Sequence, residues 1–345
     1  MQLPREVLIG KDVAQSVGET LSRLGFHGPA LLVTGHKVAS IAGGIVEDSL
    51  HRAGFKSSTI LVESATTDEV THVEREIRNL QPDIVVGVGG GKDIDVAKLS
   101  SMKASTRFLS VPTAASHDGI ASPLVSMKGL DRPYSYVAHA PIAIVADTSI
   151  IATSPYPLIA SGCGDTVAKY TAVRDWKLAH RIKNEYYGDY AAELALMSAR
   201  LVMKNAIHIR ATSDSGVRTL VEALISCGVA MSIAGTSRPC SGAEHLFSHA
   251  LTMIAPKPAL HGEQCGVGTI MCAYLHGANW SLIKDVLNTI GSPTTAKQLG
   301  VDPEYVIKAL TMAHTVRPER YTILGESGLT KEAAERVATL TGVVE

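Results

Sequence analysis

Up to about residue 150, short apolar runs alternate with stretches whose apolar residues recur at helical spacing. The runs ALLVT (30–34), STILV (58–62), DIVVGV (83–88), RFLSV (107–111) and IAIVAD (142–147) read as strands. Their continuous apolarity, without alternation, is what strands covered on both faces show. Helical patterns fall between them, from Lys37 to Ala53, in THVEREIRNL and in DVAKLSSM. Strand, helix, strand in succession predicts a parallel sheet with right-handed crossovers. From 117 to 140 Gly, Pro and Ser interrupt the pattern, which reads as a hairpin or lid. Past Pro155 and Pro157 the β-runs vanish, and YYGDYAAELALMSARLVMKNAIHI, SGVRTLVEALISCGVAMSI and KEAAERVATLTG show helical spacing. The expected fold class is α/β, with an N-terminal parallel-sheet domain over 1–150 followed by an all-helical domain over 151–345.

A length of 345 residues fits two domains, and 46% hydrophobic with 19% charged residues is an ordinary globular composition. The net charge of -1 provides no basic field for nucleic acid or an anionic membrane, so an anionic substrate has to be held by local groups. The five cysteines, Cys163, Cys227, Cys240, Cys265 and Cys272, are odd in number and form no C-x-x-C pair. That argues against a disulfide framework or a thiolate zinc site. The N-terminal MQLPREVLIG lacks the apolar core of a signal peptide. The apolar stretch Leu220 to Thr236 is short and carries Glu222, Ser226 and Ser232, so it reads as a buried helix and not a membrane span. A cytoplasmic protein, not integral to a membrane, is the expectation.

GVGGGKDIDVAK (87–98) follows an expected strand and opens an expected helix. Gly89, Gly90 and Gly91 let the backbone turn sharply and approach a ligand, and the helix N-terminus offers N–H groups to a pyrophosphate. The segment is neither G-x-G-x-x-G, because Lys92 stands where the last glycine belongs, nor a phosphate-binding G-K-[ST] loop. A plain tight turn is the alternative, with Asp95 and Lys98 on the helix surface. SVPTAASHDGIASP (110–123) follows the next strand and brings Thr113, Ser116 and Ser122 to a strand's carboxyl end, where open α/β sheets bind ligands. Turn chemistry favours the same residues. The first domain is expected to be a Rossmann-like nucleotide-binding unit.

Three segments of the second half carry metal-binding residue types. GCGDTVAKYTA places Asp165 where a helix is expected to begin, GAEHLFSHAL places His245 and His249 on one helix face, and PALHGEQCGVG places His261 after a proline-containing turn. An Asp–His–His set suits catalytic zinc with an open position, and also accepts iron, nickel or manganese. Taken singly, Asp165 is more often an N-cap, and with 13 histidines in the chain some i, i+4 pair is unremarkable.

Taken in order, GVGGGKDIDVAK, G-D-T-x-A-K, H-x-x-x-H-A and H-G-E resemble the glycerol dehydrogenase, iron-alcohol dehydrogenase and dehydroquinate synthase superfamily. Within it, PTAASHDGIASP and GAEHLFSHAL resemble the sn-glycerol-1-phosphate dehydrogenases. The resemblance spans roughly Leu3 to the last helices. It implies metal ligands at Asp165, His245 and His261, and an NAD or NADP cofactor with zinc. It implies nucleotide contacts at the glycines 89–91, at Lys92, Asp93, Ile94 and Asp95, at Thr113, Ala114, Ala115 and Ser116, and at Ser122. Substrate contacts fall on Asp118, Asp165 and His249, with His249 facing substrate and not metal.

The implied reaction is reduction of dihydroxyacetone phosphate to sn-glycerol 1-phosphate, a phospholipid backbone, by a homo-oligomeric enzyme. The metal polarises the ketone, His249 relays a proton and Asp118 fixes a substrate hydroxyl. Many NAD-preferring relatives carry an Asp near the end of the first strand, whereas VTGHK (33–37) has none, so NADPH is expected to serve alongside NADH. Lys92, Arg132, Lys169 and Arg238 are the cations available to a substrate phosphate. Rival readings are a glycerol dehydrogenase for unphosphorylated polyols, a lyase or cyclase like dehydroquinate synthase, and a non-catalytic metal- or nucleotide-binding protein.

Overall fold

The computed structural model describes residues 1–127 and 135–345. The chain divides into two compact units, Met1–Pro155 and Tyr156–Glu345.

The first unit is built on a six-stranded, wholly parallel sheet in the order β1-β8-β5-β4-β2-β3. Its strands are β1 (Glu6–Gly10), β2 (Ala30–Thr34), β3 (Ser57–Leu61), β4 (Ile84–Gly89), β5 (Arg107–Pro112) and β8 (Ala143–Asp147). The central β2 and β4 are buried at every position, in keeping with their unbroken apolar sequence. One face packs against Val17, Leu21, Val46 and Leu50, the other against Val70, Val73, Ile77 and Val96. The sequence pattern passed over β1, an edge strand whose side chains are only partly covered. ALLVT is therefore the second strand of the chain.

The irregular stretch after β5 contains an antiparallel pair, β6 (Leu124–Ser126) with β7 (Ser135–Val137), so a hairpin stands where one was expected. Arg132 lies outside the described residues.

The regular elements of the second unit are all helices. Its longest helix, Tyr156–Lys183, packs against the helices Asp189–Lys204, Ala243–Ile254 and His261–Leu275. The apolar helix Asp214–Ala234 is long enough to cross a membrane, yet Leu220, Val221, Leu224, Cys227 and Met231 are buried within this unit. The N-cap Ser213 accepts from Gly216 N–H, and Gly235 ends the helix in the left-handed conformation.

Candidate functional site

Two constellations stand out, one in each unit. In the first, chain order reverses between β2 and β4: β3 lies beyond β2 on one side, and β5 beyond β4 on the other. That switch point is where open parallel sheets receive ligands at their carboxyl ends. There β4 runs into Gly89, at φ 155°, and the helix Gly91–Lys103 begins after an extended Gly90. A Cβ on Gly89 would sit 2.2 Å from Asp93 Oδ2 and one on Gly91 2.0 Å from His117 Nε2, whereas one on Gly90 would meet nothing within 4 Å. Gly89, also at a positive φ, and Gly91 are thus closely packed, and the open flank of the turn is at Gly90.

The charged residues around this turn are largely engaged. Asp93 accepts from Gly90 N–H at 3.2 Å, and Lys92 Nζ donates to Val62 O at 2.8 Å and lies 3.2 Å from Asp93 Oδ1. Asp95 accepts from Ser126 N–H at 2.9 Å. Lys98 is no surface residue: it is fully buried and donates to Gly119 O and Leu124 O at 2.7 and 2.8 Å. Asp95 and Lys98 therefore pin the loop that carries Thr113, Ala114, Ala115, Ser116, Asp118 and Ser122. The Ile94 side chain lies in the core, which leaves only its backbone for a ligand. Asp118 opens a short turn whose carbonyl accepts from Ala121 and Ser122 N–H. Beside the expected cofactor-selecting stretch, His36 Nε2 lies 3.9 Å from Glu63 Oε1, both exposed. VTGHK itself has no carboxylate, but Glu63, just beyond β3, supplies one.

The second constellation draws on three helices, each giving an i, i+4 pair on one face: Asp165 with Lys169, His245 with His249, and His261 with Cys265. Asp165 stands within the long helix Tyr156–Lys183 and not at a helix start, so its carboxylate is no N-cap. The helix expected to begin at Asp165 starts at Tyr156, and the segment around Asp165 is rich in small residues. The small residues serve close packing: a Cβ on Gly164 would fall 2.1 Å from Gly262 O, and one on Gly262 1.8 Å from Ser161 O. The two backbones meet next to Asp165 and His261.

Asp165, His245, His261 and Cys265 each bring one donor atom into a group whose members lie within 4.8 Å of one another. Asp165 Oδ1 is 3.2 Å from His245 Nε2, and Cys265 Sγ is 3.5 Å from His261 Nε2. Both imidazoles are tethered by the opposite nitrogen. His245 Nδ1 donates to Glu244 Oε1 at 2.8 Å, and His261 Nδ1 lies 3.2 Å from Ser248 Oγ. Glu244 is itself fixed by Gly242 N–H and the Thr171 hydroxyl, each at 2.7 Å. His249 tilts against His261 with ring centroids 5.7 Å apart and offers no atom to the four-donor group.

Burial alone would raise the Asp165 carboxyl, but Lys169, at 2.6 Å, and His245 hold it well below the usual carboxylate range. Burial likewise opposes charge on His245 and His261, yet Cys265 and Asp165 raise both. The Cys265 thiol, which burial would push up, is drawn to about 6 by the two histidines. His249 goes the other way: burial, with His261, His245, Arg317 and Arg320, keeps it neutral.

Asp165, His245 and His261 were legible as a set, and the structure brings them together. Glu244, Ser248 and Cys265 were not singled out, and the count of cysteines argued against any thiolate at a metal site. The missed signal was spacing: His261 and Cys265 are four apart on one helix. Of the cations considered for a phosphate, Lys169 is committed to Asp165, and Arg238 pairs with Glu185 at 2.7 Å.

A family model described as iron-containing alcohol dehydrogenase matches residues 8–155. The chain is 55% identical over its full length to a glycerol-1-phosphate dehydrogenase (NAD(P)+) of Thermococcus kodakarensis, covering 98% of that protein. It is 56% identical over its full length to the similarly named protein of Pyrococcus furiosus, covering 99% of it. Among solved structures it resembles glycerol dehydrogenase from Schizosaccharomyces pombe, with a TM-score of 0.82 at 19% identity over 99% of this chain and 91% of that one.

Proposed function

The chain belongs to the glycerol-1-phosphate dehydrogenase family, and from that premise we propose that it reduces dihydroxyacetone phosphate to sn-glycerol 1-phosphate, using NADH or NADPH and a divalent ion. The observation that carries this reading is the buried set Asp165, His245 and His261, presented by three helices with their donor atoms converging. One carboxylate and two imidazoles suit zinc, and around one tetrahedral zinc adjacent O and N donors stand about 3.3 Å apart, by the usual bond lengths. The 3.2 Å between Asp165 Oδ1 and His245 Nε2 fits. On the nucleotide side, the open flank at Gly90 and the helix N-terminus behind it suit a pyrophosphate.

When bound, the ion supplies Lewis-acid polarisation of the ketone oxygen and the nicotinamide supplies the hydride. The residues of this chain do the rest. Glu244 holds the proton on His245 Nδ1, which leaves the Nε2 lone pair as the one that would hold the ion. Ser248 does the same for His261. His249, beside the donor group but outside it, faces the substrate; as a neutral ring it passes a proton from one nitrogen to the reduced oxygen while the other nitrogen takes one up from solvent. Asp165 and His249 orient the substrate. The reading places the protein in the cytoplasm, in keeping with five cysteines that form no disulfide.

The test is NAD(P)H oxidation with dihydroxyacetone phosphate against dihydroxyacetone, with product chirality determined. Strong preference for the phosphorylated ketone and sn-glycerol 1-phosphate as product are expected. Equal turnover on both ketones would favour a polyol dehydrogenase instead.

A further inference from the structure

We infer that Cys265 is a fourth metal donor, a thiolate that completes the resting ion site and biases it toward softer ions such as zinc and cobalt. The inference rests on the reading that Asp165, His245 and His261 hold a divalent ion, and goes beyond it by adding a ligand of different chemistry.

Three observations carry it. Cys265 lies one helical turn beyond His261 on the helix His261–Leu275, so both side chains leave the same face. Its Sγ is among the donor atoms that all lie within 4.8 Å of one another, and it is 3.5 Å from His261 Nε2. With zinc–sulfur and zinc–nitrogen bonds of about 2.3 and about 2.05 Å, adjacent S and N ligands of a tetrahedral ion stand about 3.6 Å apart. Thus both donor spacings, oxygen to nitrogen at 3.2 Å and nitrogen to sulfur at 3.5 Å, match edges of one tetrahedron.

The bland alternative is a cysteine that merely fills space, as small buried thiols commonly do. The other four cysteines fit that description: all are buried, and none belongs to the donor group. Cys272, on the same helix, is the natural control. A thiolate among O and N donors favours zinc and cobalt over magnesium and manganese. Four resting donors still permit substrate entry, because catalytic zinc expands to five.

The experiment uses the full-length protein stripped of metal and reloaded with cobalt(II) or zinc, comparing wild type, Cys265→Ser and Cys272→Ser. Expected for wild type and Cys272→Ser is a near-ultraviolet sulfur-to-cobalt charge-transfer band, absent from Cys265→Ser. Zinc affinity, read by competition with a chromophoric chelator, is expected to fall at least tenfold in Cys265→Ser alone. Circular dichroism checks that each variant folds. Tight cobalt binding by the wild type with no such band would overturn the thiolate ligand while leaving the Asp–His–His site standing. Zinc affinity unchanged in a folded Cys265→Ser would do the same. A wild type that binds neither ion would overturn both this inference and the reading beneath it.

Discussion

His245 and Glu244 are sequence neighbours whose side chains meet at 2.8 Å, Nδ1 to Oε1, although adjacent residues on a helix point in different directions. The contact is possible because Glu244 sits in the first turn, held by the Gly242 N–H and the Thr171 hydroxyl. A carboxylate there fixes one tautomer of His245 and raises its basicity as a ligand. Glu244→Gln is therefore expected to weaken metal binding about ten- to a hundredfold, with helicity unchanged. Chelator competition beside circular dichroism checks it; metal affinity equal to wild type would show the contact to be packing only.

The two histidines that tilt against each other are expected to separate on substitution. His261→Ala should lose bound metal and nearly all turnover. His249→Ala should retain metal and lose turnover by about two to four orders of magnitude, the range for a lost proton-transfer group. Metal content by elemental analysis distinguishes them, and loss of metal from His249→Ala would make His249 a ligand.

Cofactor choice is expected to turn on Glu63. NADPH should be turned over within a hundredfold of NADH, since VTGHK has no carboxylate of its own to repel a 2′-phosphate. Glu63, 3.9 Å from His36, adds an exposed negative charge beside it. Glu63→Gln is expected to raise the NADPH-to-NADH ratio of kcat/KM by about threefold, the scale of one screened surface charge. An unchanged ratio at low salt would put the 2′-phosphate elsewhere.

His139 gives a pH signature for the first unit. Its ring stacks on Phe108 and shares a hydrogen bond with Ser101 Oγ at 2.9 Å; burial, with Lys98 and Arg107 nearby, lowers it to about 4. Between its ordinary value near 6.5 and about 4, the unfolded chain binds this proton and the folded chain does not. Its contribution to stability therefore declines as pH falls through that window and is level above it. His139→Gln should flatten that part of the urea-midpoint profile between pH 7 and pH 4. An unaltered profile would mean the ring titrates normally.

Much of this was legible in the sequence, for definite reasons. β2 and β4 are covered on both faces, so their apolar runs were unmistakable, whereas β1 lies at the sheet edge and its half-covered VLI gave no such signal. Asp165, expected at a helix start, lies within the helix Tyr156–Lys183. Only tertiary contact between Gly164 and Gly262 explains why small residues stand within a continuous helix. Asp165, His245 and His261 were legible as a set through the family resemblance, since residue type and spacing left His249 an equal candidate. Glu244 was not legible, since its relevance arises from which neighbour its side chain meets once the helices have packed, and Cys265 was marked only by its spacing of four from His261. Lys98, which the plain-turn alternative puts on the helix surface, is inside because two loop carbonyls, Gly119 O and Leu124 O, accept its hydrogen bonds.

The bite of the donor group is set by two residues that donate nothing. Gly164 and Gly262 let one backbone rest almost on the other, and that spacing brings Asp165 within range of His261 and Cys265. A single methyl group at either position would wedge the helices apart and leave every donor in the sequence intact but out of reach. Failure to hold an ion is thus an expected trait of variants whose ligands are all unaltered.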